Sequence, residues 1–190
     1  MIAQIITLLI DTLGTLLVYV LLLRFHMQWL RAPFRNPVGE LVTGLTNWAV
    51  LPLRRVIPGL LGLDVATLLL AWLAQGLMAL ALMALRDYDF TRANGVVYAM
   101  LAWLAAIELL RMSVLLLIVA VIVQALLSFV APYSPLAPVL DALTRRFYQP
   151  FRRFIPPMGN IDLSPLFLIL AAQIVIIILE RLRFSVTAPV

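Results

Sequence analysis

The chain has 190 residues, of which 64% are hydrophobic and 12% are charged, and its mean hydropathy is +1.08. A soluble globular domain does not carry this much apolar surface, and several stretches are long enough to cross a bilayer. Because there is no cysteine, disulfides and thiolate chemistry are excluded. The net charge of +5 comes from arginines beside apolar segments, which indicates anionic lipids rather than nucleic acid as charged partners.

One pattern of residues occurs twice, 98 positions apart, over residues 36–75 and again over 134–173. Each copy starts with a helix-capping residue and a proline, continues through Pro-x-Arg-Arg-x-Ile-Pro to an aspartate, and ends with a glutamine. An internal repeat between long apolar stretches predicts an all-α membrane protein built from two like halves, residues 1–95 and residues 96–190.

Four transmembrane helices are predicted in chain order. Three are residues 2–23, 63–85 and 163–179, each near the length that a hydrocarbon layer of about 30 Å requires. Residues 96–130 admit two interpretations: two spans, or one span near 112–130 preceded by a helix on or protruding from the membrane surface. We favour the second, because residues 96–107 are too few to cross as a helix and the repeat aligns with a single span.

The distribution of arginine sets the expected orientation. The segments between spans one and two and between spans three and four are rich in arginine, and such loops stay in the cytoplasm. Four spans place both segments on one side, whereas five would place them on opposite sides. The sequence therefore predicts two parallel hairpins, with the arginine-rich loops in the cytoplasm and both termini on the outer side of the membrane.

Each arginine-rich loop is predicted to contain an amphipathic helix, residues 36–50 in the first repeat and 134–148 in the second. Apolar residues recur there at helical spacing, which is typical of a helix lying in the membrane interface. The alternative is a soluble loop helix packed on the partner repeat. Pro52 and Pro150 are expected to stop these helices and to hold the arginines that follow in an extended chain.

Charged residues recur beyond each proline. We expect one arginine of each pair to bind lipid phosphate and the other to turn inward to an aspartate, or both simply to enforce topology. The aspartates open spans two and four, where a helix cap alone explains them and a symmetric ion site is the alternative. The residues concerned are Arg54, Arg55 and Asp64 in the first repeat, and Arg152, Arg153 and Asp162 in the second.

Polar groups inside apolar stretches are a second set of candidates. Asp11, Glu108 and Arg111 are costly there unless they are paired, functional or at the outer interface. Glu108 and Arg111 can pair on one helix, and one hypothesis has Asp11 bonding Arg111 between halves. We favour the alternative that all three lie at the outer interface, where ionisation is cheap. Gln75 and Gln173 recur at one level of spans two and four and are expected to form hydrogen bonds between helices, with contact to a substrate as the alternative.

No catalytic constellation, metal site or cofactor motif is present in the sequence. His26 is the only histidine and has too few partners for a metal site or a nucleophilic triad. Several aromatic residues near the arginine-rich loops fit an interfacial aromatic belt: Trp29, Trp48, Tyr133 and Tyr148.

Taken together, Leu22-Leu23-Arg24, Met27-Gln28-Trp29, Asn36-Pro37 and the stretch from Pro150 through Asp162-Leu163-Ser164-Pro165 resemble the YggT family of small bacterial membrane proteins. The first copy departs from this pattern, with Val65-Ala66-Thr67 in place of Leu163-Ser164-Pro165. The resemblance implies an inner-membrane protein of no established enzymatic activity, linked to osmotic stress, potassium uptake and cell division, with plastid relatives implicated in assembling a haem-bearing cytochrome subunit.

The leading hypothesis is a non-enzymatic membrane scaffold or assembly factor, for which no cofactor is expected. Its expected partners are anionic lipids and either other membrane proteins or further copies of the chain. The alternative is an ion channel or transporter component, for which the recurring aspartates and glutamines would form a site on the axis between the halves.

Overall fold

The computed structural model describes residues 1–60, 62–86, 88, 94–131, 133–154 and 162–187. The regular secondary structure of these residues is helical, as predicted. The helices, in chain order, are α1 Ile2–Trp29, α2 Pro37–Val56, α3 Val65–Ala84, α4 Gly95–Val130, α5 Ala137–Phe154 and α6 Ser164–Thr187.

Four of the described helices are long and apolar enough to cross a membrane: α1, α3, α4 and α6. This confirms the prediction of an all-α fold with four transmembrane helices. The helices run further than the predicted spans, because α1 continues past Leu23 to Trp29 and α6 continues past Glu180 to Thr187. The additional turns carry polar and aromatic residues, which hydropathy alone assigns to loops.

Residues 96–130, expected to hold one span preceded by a helix on or protruding from the membrane surface, lie within a single continuous helix, α4. Residues 95–130 form one helix of 36 residues, about 54 Å long at 1.5 Å per residue. Glu108 and Arg111, which interrupt the apolar pattern, lie three residues apart and pair with each other, so neither breaks the helix. Because the helix is longer than a hydrocarbon layer of about 30 Å, it must tilt or extend beyond that layer.

The four long helices form two hairpins that are joined along one side. α1 packs on α3, α4 packs on α6, and α4 also contacts both α3 and α1. Within the described residues, α6 touches α4 and α5 but neither α1 nor α3, so the bundle is open on that side. At Gly14 a Cβ atom would lie 2.6 Å from Met78 Sδ, and glycine therefore permits the close approach of α1 and α3.

Pro52 and Pro150 do not stop the loop helices, contrary to the prediction. Both prolines lie inside α2 and α5, which continue to Val56 and Phe154. A proline near the end of a helix removes one N–H donor but leaves later donors free to bond. In α2 the next turn is closed by the N–H of Ile57, which donates to Leu53 O at 2.9 Å. The adjacent arginines are therefore helical, and the expectation of an extended chain is wrong.

Candidate functional site: polar clusters at both ends of the spans

The first arginine pair is divided between two environments. Arg54 turns inward and binds Asp64 through both carboxylate oxygens, with Nε 3.1 Å from Oδ1, while its Nη2 also donates to Gln28 Oε1 at 2.6 Å. Arg55 is exposed. Asp64 also caps α3, since it accepts hydrogen bonds from the backbone N–H and the hydroxyl of Thr67. The same aspartate is thus both a helix cap and an ion-pair partner.

The second repeat forms the corresponding pair in a more exposed setting. Arg152 Nη2 lies 2.9 Å from Asp162 Oδ2, and Asp162 Oδ1 accepts from the backbone N–H of Ser164 at 2.9 Å. The Asp162 side chain is 37% exposed, whereas that of Asp64 is 2% exposed. Arg153 is exposed like Arg55. Each aspartate is held by the arginine of its own repeat, and the two pairs share no partner.

Hydrogen bonds lower the pKa of both aspartates. Burial by itself would raise the pKa of the Asp64 carboxyl, but the hydrogen bonds from Arg54 and Thr67 lower it below its usual value. Burial likewise opposes the shift at Asp162, where hydrogen bonds from Ser164 and then from Arg152 lower the pKa. Both groups therefore favour the ionised form that the arginines require.

A buried arginine that sequence reasoning treated only as a loop cation lies beside the first pair. Arg24 is 4% exposed, and its Nη1 donates to Thr46 Oγ1 at 2.6 Å and to Asn47 Oδ1 at 2.9 Å. In the second repeat the hydroxyl of Thr144 instead donates to Gln124 Oε1 at 2.6 Å. The recurrence of threonine at positions 46 and 144 could have indicated these contacts, because a buried hydroxyl at the same level of both repeats needs a hydrogen-bond partner.

The two loop helices expose opposite kinds of surface. Along α2 the outward face is apolar, with Leu41, Leu45, Trp48 and Leu51 each at least 47% exposed. Helix α5 instead buries its apolar residues against α1, α4 and α6. Its outward face is polar and carries Asp141, Arg145, Arg146, Gln149, Arg152 and Arg153. The outward face of α2 is typical of a helix in a membrane interface, whereas α5 packs mainly on α4 and α6 of its own repeat and also contacts α1 of the partner repeat.

A large apolar groove opens where α6 stands apart from α1 and α3. Its volume is about 790 Å³, and its walls come from α1, α3, α4, α5 and α6. His26 and Trp29 lie at the α1 wall, and Arg146 of α5 stacks over the Trp29 ring at 5.5 Å. Trp48 and Tyr133 are exposed, but Tyr148 is 3% exposed. The expected place of Tyr148 in an aromatic belt is therefore wrong, because its ring packs into the core beneath Arg152.

A polar recess lies near the other end of the spans. It has a volume of about 440 Å³ and is lined by residues of all four long helices. Glu108 lines it and pairs with Arg111, whose Nη2 lies 2.7 Å from Oε1, and with Arg183, whose Nη1 lies 3.3 Å from Oε2. The polar lining consists of Asp11, Thr15, Tyr19, Gln75, Glu108, Arg111 and Arg183.

Two hypotheses for this recess have no counterpart among the contacts of the described residues. Asp11 lines it but is exposed, and it forms no ion pair with Arg111, whose Nε and Nη2 instead donate to Glu108 on the same helix. The two glutamines form no hydrogen bond between helices in the described part of the chain. Gln75 is buried with an unpaired Oε1, whereas Gln173 is exposed on α6, which does not reach α3.

Comparison with known proteins places this architecture in a family. A family model described as CCB3/YggT matches residues 3–85 and 103–183. An uncharacterized protein of Pseudomonas aeruginosa is 34% identical over 168 residues, covering 87% of this chain and 83% of its own length. The uncharacterized protein YggT of Escherichia coli K12 is 35% identical over 171 residues, covering 89% of this chain and 86% of its own.

A protein of Vibrio alginolyticus, also uncharacterized, is 34% identical over 168 residues, covering 87% of this chain and 88% of its own length. No solved structure matches the chain significantly. No group of metal-binding side chains was found among the described residues. With two matched segments that together cover most of its length, the chain belongs to the CCB3/YggT family.

Proposed function

We propose that this protein is a non-enzymatic scaffold or assembly factor of the bacterial inner membrane, with a role in adaptation to osmotic stress or in cell division. The feature that supports this most directly is the apolar groove between the two hairpins. A membrane-spanning helix is about 10 Å wide and needs an apolar surface of this kind to pack against. The proposal assigns the groove to a transmembrane helix of a partner protein or of a second copy.

The surfaces of the loop helices supply a second support. The leucine and tryptophan face of α2 suits the boundary between headgroups and acyl chains. The exposed arginines of α5 suit anionic headgroups nearby, at about 1 kcal/mol for each arginine near the surface. We therefore propose that anionic lipids hold both loops at the cytoplasmic face, with the termini in the periplasm.

A groove-filling substitution tests the scaffold role. Ser113 lines the groove, and Ser113→Phe would fill part of it, whereas Leu13 is exposed and lines neither the groove nor the recess. We expect mild-detergent purification to yield a partner or second copy at fixed stoichiometry, and Ser113→Phe but not Leu13→Phe to release it. A wild-type protein that purifies alone in several mild detergents, or a complex unaffected by Ser113→Phe, contradicts the proposal.

Single cysteines test the orientation, because the chain contains none of its own. Arg55→Cys and Arg153→Cys should both resist an impermeant maleimide in intact spheroplasts and react after the membrane is opened. A cysteine at Ile2, the first residue of α1, should react from outside. Labelling of the two arginine positions from opposite sides would overturn the parallel arrangement.

A channel or transporter component remains the second proposal, and one observation favours it. The polar recess brings charged side chains from α1, α4 and α6 together with Gln75 of α3. The recurring aspartates do not support it, since each is bound by the arginine of its own repeat. Ion flux in proteoliposomes that is lost with Asp11→Asn but kept with Asp162→Asn would support this role, whereas no flux under several ion gradients would exclude it.

A further inference from the structure

We propose that the polar recess binds a small zwitterion that carries a free ammonium group and a carboxylate, as an α-amino acid does. This site is separate from the groove and does not depend on the scaffold role. Ionisable side chains within membrane spans are rare and commonly mark a substrate or ion pathway. The volume of about 440 Å³ lies in the range of roughly 300–1,000 Å³ that small-molecule sites occupy.

The acceptor side of the recess is formed by α1 and α3. Gln75 is 8% exposed, and its Oε1 has no hydrogen-bond partner within the described residues. A buried carbonyl oxygen without a donor is unfavourable, and a ligand N–H would supply the missing bond. Asp11 adds a carboxylate that no described cation binds, and Thr15 adds a hydroxyl whose one contact is the weak acceptor Met78 Sδ at 3.9 Å.

The donor side is formed by α4. Arg111 uses Nε and Nη2 to hold Glu108, and its Nη1 has no partner among the described residues. Glu108 is already compensated, because Arg111 and Arg183 both bind it. Glu180 also acts electrostatically on Arg111, so what this side offers a ligand is the unused Nη1 donor.

The charges of the recess decide the class of ligand. Among the described lining residues there are two carboxylates and two guanidinium groups, and Asp11 and Arg111 do not pair with each other. A simple cation would leave the unused donor of Arg111 without an acceptor, and a simple anion would leave Asp11 without a counter-charge, which is costly in an apolar setting. A zwitterion meets both sides, with its ammonium towards Asp11 and Gln75 and its carboxylate towards Arg111. The remaining walls, including Ala79 and Leu82, are apolar and suit a small aliphatic side chain.

Binding to the full chain in lipid nanodiscs tests the site, with L-alanine and L-leucine as probes. N,N,N-trimethyl-L-alanine is the matched comparison, since it keeps both charges but has no N–H to donate to Gln75. We expect saturable binding of at least one amino acid, a raised Tm at saturation, and at least tenfold weaker binding of its trimethyl counterpart. No binding by either amino acid, or equal binding of the trimethyl compound, overturns the proposal.

The repeat supplies matched variants. Asp11→Asn and Gln75→Leu should each weaken binding at least tenfold, while Gln173→Leu, which changes the equivalent but exposed amide, should leave it unchanged. Equal losses in Gln75→Leu and Gln173→Leu would overturn the assignment. If Asp11→Asn does not fold, Ala79→Cys serves instead, and saturating amino acid should slow its maleimide labelling at least threefold. An unchanged labelling rate refutes the site.

Discussion

Replacing Asp64 by asparagine removes the charge of the buried carboxylate while keeping a side chain that can still cap α3. The change therefore isolates the ion pair with Arg54 from the cap on Thr67. Asp162→Asn in the second repeat is the matched control, because the same pair forms there between exposed side chains. We expect Asp64→Asn to destabilise the protein much more than Asp162→Asn.

The expected size of the difference follows from exposure. Removing one partner of a buried ion pair costs about 3–5 kcal/mol, since the remaining charge is left without compensation. Arg54 is 34% exposed and regains some hydration, so we expect the lower end, about 3 kcal/mol. The Asp162 and Arg152 side chains are 37% and 53% exposed, and exposed pairs contribute only about 0–1 kcal/mol.

Equilibrium unfolding by sodium dodecyl sulfate in mixed micelles, followed by circular dichroism, measures both losses. A difference of about 2–3 kcal/mol corresponds to roughly a 30- to 150-fold change in the folding constant. Arg54→Glu combined with Asp64→Arg should recover part of the stability that either single change removes. Equal losses in Asp64→Asn and Asp162→Asn, or no recovery in the double variant, would show that burial does not control the strength of these pairs.

Three further predictions use the same unfolding assay. The pKa of Asp64 is lowered in the folded protein, so the stability that it contributes is present above the unfolded pKa of about 3.9 and is lost as pH falls through the folded pKa. If Asp64→Asn loses as much stability on acidification as the wild type does, this assignment is contradicted. Thr46→Val should lower the unfolding free energy by about 1.5–3 kcal/mol, because the Thr46 hydroxyl bonds to the charged Arg24. Thr144→Val should lower it by only about 0.5–1.5 kcal/mol, because Gln124 is neutral, and a larger loss in Thr144→Val than in Thr46→Val would contradict this. Pro52→Ala should stabilise α2 by about 1–3 kcal/mol by restoring a helical N–H donor, whereas destabilisation would mean that the proline itself is needed there.

Hydropathy was sufficient to predict the four transmembrane helices, and the internal repeat indicated the pairing of arginine with aspartate as one of two alternatives. Both depend on periodic or recurring features that one sequence displays. The path of the chain at Pro52 could not be predicted in this way, because a proline rule describes local preference while contacts of Arg54 with Asp64 and Gln28 hold the next turn. Tertiary contact decided that outcome.

The polar residues of the spans were harder to place than the helices. Their types and positions predicted that Glu108 would pair with Arg111, because that contact is local to one helix. The repeat could not predict which side of the bundle is open, because two similar hairpins can join along either of their sides. As a consequence Gln173 faces outward while Gln75 is enclosed, although the sequence gives both the same repeat position.

Because the outward faces of α2 and α5 differ, the two repeats do not present equivalent recognition surfaces. Where α2 presents Trp48, the equivalent position of α5 is Arg146, so the halves agree in backbone but differ in the chemistry they offer. A molecule that recognises the indole-bearing half meets a guanidinium in the other. One chain therefore provides one copy of each recognition surface, and exchanging the two loop helices would not yield an equivalent protein.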